Sequence, residues 1–223
     1  NKDGTISLIF TASGKNTYFV FTRDNSQITS ITVLKPAADS KKLVVIDAGH
    51  GDSATGAIYK NLKEKDLNLD IAKRLNTLLK KKGVNTYMLR DDDSYIANYE
   101  RAYIANNMNA KLYLSIHNNA TENKNIRGTM TLYYPSVNKG FTGKDLAAIV
   151  QKHLVNKLKT VDRKTISRPD LIVLRETNMP AALAEIAYLT NSTDRANLQK
   201  ESFRQNAAQA LCDSIIEALK KIK

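Results

Sequence analysis

The sequence predicts an α/β fold, a largely parallel or mixed sheet with helices on both faces, preceded by a short N-terminal β extension. Two observations carry this. From Lys42 onward, short apolar runs alternate with longer amphipathic stretches. The apolar runs are continuous rather than alternating with polar residues, as in strands buried on both faces, and the stretches between them are long enough to be crossover helices.

Each element has its own signal. Ile6 to Thr11, Thr17 to Thr22 and Ile28 to Val33 are short β-prone runs split by Ser13-Gly14-Lys15 and Asp24-Asn25-Ser26. Lys35 to Ser40 reads as a linker. Residues 1–39 are therefore expected to be an extension of the main domain or the tail of a preceding β module, with the main domain at 40–223. Leu43 to Ile46 is a buried strand. Asp66 to Lys82 is an amphipathic helix, with Leu67, Ile71, Leu75, Leu78 and Leu79 at helical spacing and Gly83 as its stop. Further strands are expected at Thr86 to Leu89, Leu112 to Ile116, Thr129 to Tyr134, Leu171 to Leu174 and Ala182 to Glu185. Helices are expected at Tyr95 to Asn107, Lys144 to Leu158 and Phe203 to Ile222.

Composition narrows the class. The chain has 223 residues, 42% of them apolar, enough for a sizeable core. No apolar run approaches bilayer length. The opening Asn1-Lys2-Asp3, without an initiator Met, reads as a trimmed chain. Cys212, the single cysteine, cannot form an internal disulfide and reads as a small core residue. There are 34 Lys and Arg against 22 Asp and Glu, a net charge of +12. Such a charge favours polyanionic surroundings, but no basic stripe carries interleaved aromatics, so a dedicated nucleic-acid site is not expected.

Three strand ends carry chemistry. Leu43-Val44-Val45-Ile46 leads into Asp47-Ala48-Gly49-His50-Gly51, Leu112 to Ile116 leads into His117-Asn118-Asn119, and Ala181 to Ala184 leads into Glu185. Parallel neighbouring strands would bring these ends to one patch. The third histidine, His153, reads as part of a solvated helix face. Two imidazoles at a cleft suggest a metal more than a triad, because a catalytic zinc takes three His or carboxylate ligands and keeps a fourth position open. Glu64 is the best third ligand, with Asp66 and Asp47 as competitors. Glu185, ending an apolar strand, suits a proton carrier, since a buried carboxylate without a role is costly. A Ser or Cys nucleophile is less attractive. Ser115 either points away from the cleft or shares its face without a sharp turn, and Cys212 lies far off in a helix.

The stretches "VVIDAGHGD…GA", "KEKDLNLDIAKRL", "LYLSIHNNA" and "LAEIAYLTN" occur in this order. Together they resemble the zinc-dependent N-acetylmuramoyl-L-alanine amidases of the Amidase_3 type, over about Lys42 to Lys223. The resemblance implies a mixed, largely parallel sheet of about six strands and a zinc amidase catalytic domain at 40–223. It implies one Zn²⁺ held by His50, Glu64 and His117, Glu185 as the catalytic acid and base, and Asn119 as a substrate contact. Ala48 stands where the family often has Pro, Asp52 replaces a second Gly, and Glu185-Ile186-Ala187-Tyr188 replaces Glu-x-Gly-Phe; none of these changes touches a ligand. The segment Gly128 to Lys144 is too short for the long inhibitory helix of some relatives, so an open cleft is expected. The implied substrate is peptidoglycan, with anionic wall polymers as further partners, and the implied location is extracytoplasmic, secreted or wall-associated. A zinc carboxypeptidase-like peptidase and a non-catalytic wall-binding module are the alternatives.

Overall fold

The computed structural model describes residues 17–22, 29–34, 42–136 and 140–222. The run expected at Ile6 to Thr11 and the linker at Lys35 to Ser40 lie outside them. Strands β1 (Thr17–Thr22) and β2 (Thr29–Leu34) pair antiparallel as a separate two-stranded sheet.

The main domain begins with β3 (Val44–Ala48), every residue of which is buried. A loop and a small hairpin, β4 (Ile58–Tyr59) and β5 (Leu62–Lys63), lead into α1 (Glu64–Lys81). The helix starts two residues earlier than its apolar spacing predicts, so Glu64 is its first residue. Glu64 and Asp66 in the first turn, and Lys80 and Lys81 in the last, complement the helix dipole. There follow β6 (Thr86–Met88), α2 (Asn98–Asn107), β7 (Leu112–Asn119), β8 (Thr129–Tyr133), α3 (Gly143–Leu158), β9 (Asp162–Ser167), α4 (Ile172–Arg175), β10 (Ala181–Tyr188), α5 (Ser192–Gln199) and α6 (Glu201–Lys221). Helix α3 opens on a capping box between Thr142 and Asp145, and the Asn191 side chain caps α5.

Six strands form one sheet in the order β6-β3-β7-β10-β8-β9. The first four are mutually parallel; β8 runs antiparallel to β10, and β9 parallel to β8. One face packs Val44, Ile46, Leu112, Leu114, Ile116, Ala182, Ala184 and Ile186 against α1, α3 and α6. The other packs Val45, Tyr113, Leu132 and Leu183 against Ile104 and Ala105 of α2 and Val173 and Leu174 of α4. Period-two alternation then fixes the site: His117 follows Tyr113 and Ser115, and Glu185 follows Leu183, so both emerge on the α2/α4 face. The parallel ends of β3, β7 and β10 converge as expected.

Two expectations are corrected. Leu171 to Leu174 is not a strand, since Ile172–Arg175 forms a single helical turn. The strand beside β8 is instead β9, whose sequence DRKTIS is mostly exposed. A four-residue apolar run cannot distinguish helix from strand by periodicity, and an edge strand need not be apolar.

Candidate metal centre

His50 stands in the left-handed backbone region, with φ of 66°. For a non-glycine residue this conformation costs about 1–3 kcal/mol and must be held by its surroundings. Two buried arginines hold it. Arg101 donates from Nη2 to the His50 carbonyl at 2.8 Å and from Nη1 to Ala48 O at 3.0 Å. Arg90 donates from Nε to Ala48 O at 2.8 Å and from Nη2 to Gly49 O and Lys65 O, both at 2.9 Å. Arg101 is itself paired with Asp47, whose other oxygen accepts from Tyr113 Oη at 2.6 Å and Ser115 Oγ at 2.7 Å. Asp47 is thereby spent on fixing the loop, and so is Ser115, which shares the His117 face. Asp66 is exposed on the first turn of α1.

His50, Glu64 and His117 come together. Their candidate ligand atoms all lie within 4.8 Å of one another, the one such cluster among the described residues. His50 Nε2 is 3.2 Å from Glu64 Oε2, and His117 Nδ1 is 2.8 Å from Glu64 Oε1. The two rings meet edge to face, with centroids 4.8 Å apart. Burial opposes the Glu64 charge, but hydrogen bonds from the two imidazoles outweigh it and hold the carboxyl well below its usual range. Asn68, one helical turn on, donates to Glu64 Oε1 at 3.3 Å and to Gly49 O at 3.1 Å, and Asn118 donates to Asn68 at 2.9 Å.

Glycine is required at two points. A β-carbon on Gly49 would stand 2.2 Å from the His117 ring. One on Gly56, at φ of 64°, would stand 2.4 Å from Glu64 Oε2 and 2.5 Å from His50.

Glu185 lies in register with His117 across the β10/β7 pair. Its Oε2 is buried and has no hydrogen-bond partner. Burial pushes the carboxyl up to about 7, against the attraction of His117. His50, His117 and Glu185 line a cavity of about 400 Å³ with Tyr95, Leu132, Arg168, Leu171 and Leu183. A hollow of about 370 Å³ at the other end of β10, around Pro180 and Ala181, contains no His, Asp or Glu. Asn119 does not line the cavity; its Oδ1 accepts from Ala120 N, and its Nδ2 lies 3.8 Å from Met130 Sδ. His153 is not merely solvated, since its Nε2 is 2.8 Å from Glu217 Oε2 and links α3 to α6. The described part of the segment between β8 and α3 holds no helix, and it leaves β8 at the end of β10 away from Glu185.

The donor set suits a divalent metal of zinc's type, with two imidazole nitrogens and one carboxylate converging beside an open cavity. Asn68 orients the carboxylate as an outer-shell partner does. The sequence did not point to Asn68, Asn118, Arg90 or Arg101; only the i, i+4 spacing of Glu64 and Asn68 offered a signal.

Residues 44–217 match the family model described as N-acetylmuramoyl-L-alanine amidase. The chain is 37% identical over 173 residues to the N-acetylmuramoyl-L-alanine amidase LytC of Bacillus subtilis (strain 168), covering 78% of this chain and 34% of LytC. It is 35% identical over 178 residues to the probable cell wall amidase LytH of Staphylococcus aureus, covering 78% of this chain and 57% of LytH. It thus spans about a third of one of these relatives and just over half of the other. The solved N-acetylmuramoyl-L-alanine amidase from Clostridium difficile 630 superposes with a TM-score of 0.76 at 36% identity, covering 82% of this chain and 98% of that one.

Proposed function

The chain belongs to the N-acetylmuramoyl-L-alanine amidase family, and on that premise we propose that it hydrolyses the amide between the lactyl group of N-acetylmuramic acid and L-alanine in peptidoglycan, with one Zn²⁺. The observation that carries the reading is the cluster of His50, Glu64 and His117, whose two histidines share one cavity with a Glu185 carboxyl whose Oε2 is buried without a hydrogen-bond partner. His50, Glu64 and His117 would hold the zinc, which when bound supplies Lewis-acid polarisation and lowers the pKa of water.

The remaining work falls to the chain's own groups. Arg101 and Arg90 fix the backbone that carries His50. Glu185 takes the proton from the attacking water and delivers it to the departing L-alanine nitrogen, which leaves poorly unless protonated. A carboxyl raised to about 7 is poised to do both near neutral pH. Leu132, Leu171 and Leu183 give the cavity an apolar wall that excludes bulk water from the transfer. Action at the wall fits the names of the relatives and the net charge of +12, and no described helix is long and apolar enough to cross a membrane.

The test is paired. Glu185→Gln keeps its shape but cannot carry a proton. It is expected to retain near-normal zinc per chain and to lose roughly 10²–10⁴-fold in release of the L-alanine amine. His50→Ala and His117→Ala are expected to lose the zinc itself. Wild-type rates in Glu185→Gln, or loss of its zinc, would show that the role is misassigned.

A further inference from the structure

We infer that Arg168 recognises the free α-carboxylate of the second stem-peptide residue, D-isoglutamate, and so makes the enzyme favour stems carrying the acid over stems carrying the amide at that position. The inference rests on the amidase reading and says which stem chemistry the cleft selects.

Arg168 follows directly on β9, and its backbone nitrogen donates to Tyr133 O at 2.8 Å. Its side chain lines the same cavity as His50, His117 and Glu185. The other arginine there, Arg101, is buried and committed to Asp47 and to the carbonyls of Ala48 and His50. No lysine lines the cavity. Arg168 is therefore the cation in this cleft that a substrate anion can reach.

Its position suits such an anion when the stem runs along the cavity toward β9. Glu185 hands its proton to the leaving L-alanine nitrogen, so the stem peptide begins beside Glu185 and runs outward. Tyr133 pairs with Ala182, three residues before Glu185 on β10, which sets the Arg168 backbone about 10 Å back along the strands and, because β9 lies beyond β8, about 10 Å to the side. Successive Cα atoms of a peptide are about 3.8 Å apart. The second residue and its α-carboxylate then lie between Glu185 and the Arg168 backbone, within the sweep of a long side chain. Leu132 and Leu183, paired side by side on β8 and β10, floor the space between and offer the alanine methyl an apolar seat. Arg168 also exerts a minor pull on the Glu185 carboxyl, in keeping with a guanidinium facing the same cavity.

Asp170 holds the guanidinium by two bonds, from Nε at 2.9 Å and Nη2 at 2.7 Å. A guanidinium has five N–H donors, so this grip orients it and leaves donors for a second carboxylate. Arg168 is 42% exposed, so water screens the contact and the effect is moderate.

The experiment uses two disaccharide–tripeptide muropeptides that differ only in the α-carboxyl of the second residue, free acid in one and amide in the other. Wild-type enzyme is expected to show about tenfold higher kcat/KM for the acid, in line with a charge-assisted hydrogen bond. In Arg168→Gln that preference collapses to within about twofold, the loss falling mainly on the acid through KM, while Arg168→Lys keeps part of it. Equal efficiency of the wild type on both substrates, or an equal slowing of both by Arg168→Gln as a merely structural Arg168–Asp170 pair would give, overturns the inference alone. Failure of the wild type to cleave either substrate overturns the amidase reading and this inference with it.

Discussion

A methyl group at Gly49 is enough to displace the His117 ring from its place beside Glu64. An added β-carbon there overlaps the His117 ring, and the ring cannot retreat because its Nδ1 is held by Glu64. Gly49→Ala is expected to leave the fold in place, to weaken zinc binding at least tenfold and to lower the rate with it; zinc titration of the apo protein, with circular dichroism as the check on folding, decides it. The histidines and Glu185 that the fold gathers at the candidate site were legible in the sequence because each interrupts a run that otherwise explains itself. An imidazole or a carboxylate at the tip of a buried strand has no structural reason to be there. Glu64 had no such contrast and rested on the family motif. The supporting residues stayed hidden for a different reason. Arg101 lies 51 positions from the His50 carbonyl it holds, and Arg90 lies 41 from Gly49. Contacts between a side chain and a distant backbone leave no periodic trace in a chain.

At the scale of elements, α1 and α6 are joined on the face away from the cleft by Asp70, which accepts from Arg74 on its own helix and from Arg204 on α6; Arg74 also reaches Gln205 at 3.0 Å and Glu201 at 3.1 Å. Partial burial works against the Asp70 charge, but the two arginines outweigh it and hold its carboxyl below the usual value. A lowered carboxylate pKa stabilises the fold fully above the unfolded value of about 3.9, and the contribution fades as pH falls through the lower folded value. Asp70→Asn is expected to be less stable than the parent at pH 7 by roughly 0.5–1 kcal/mol, discounted for its exposure. The gap should narrow as pH falls below about 3.9. Urea midpoints at pH 7 and at successively lower pH below 4 test this, and a gap that stays constant over the whole range contradicts it. Helices α1, α2, α3 and α6 were foreseen to within a few residues, because apolar residues at helical spacing, as on α1, leave no other way to bury them. What escaped prediction was short or solvent-facing: the hairpin of β4 and β5 has two residues a strand, α5 only eight, β9 has solvent beyond it and so no apolar pattern, and α4 is a single turn, too short to display a period.

For the whole molecule, the net charge of +12 is expected to act on approach more than on chemistry. Attraction to an anionic wall works over distances that salt screens, about 10 Å at 0.1 M and about 3 Å at 1 M, whereas contacts inside a cavity are screened much less. Binding to intact sacculi is expected to weaken at least tenfold between these salt concentrations, while turnover of a soluble muropeptide changes by less than about threefold; an equal response of both would show that the charge has no such division of labour. The sheet order carries a consequence of another kind. His117 and Glu185 stand on β7 and β10, each bonded to a strand on both sides, whereas Arg168 stands just past β9, which is bonded on one side only. Substitutions at the rim are expected to leave the middle of the sheet in place, so a library confined to residues 162–172 is where a redesign of substrate preference should begin.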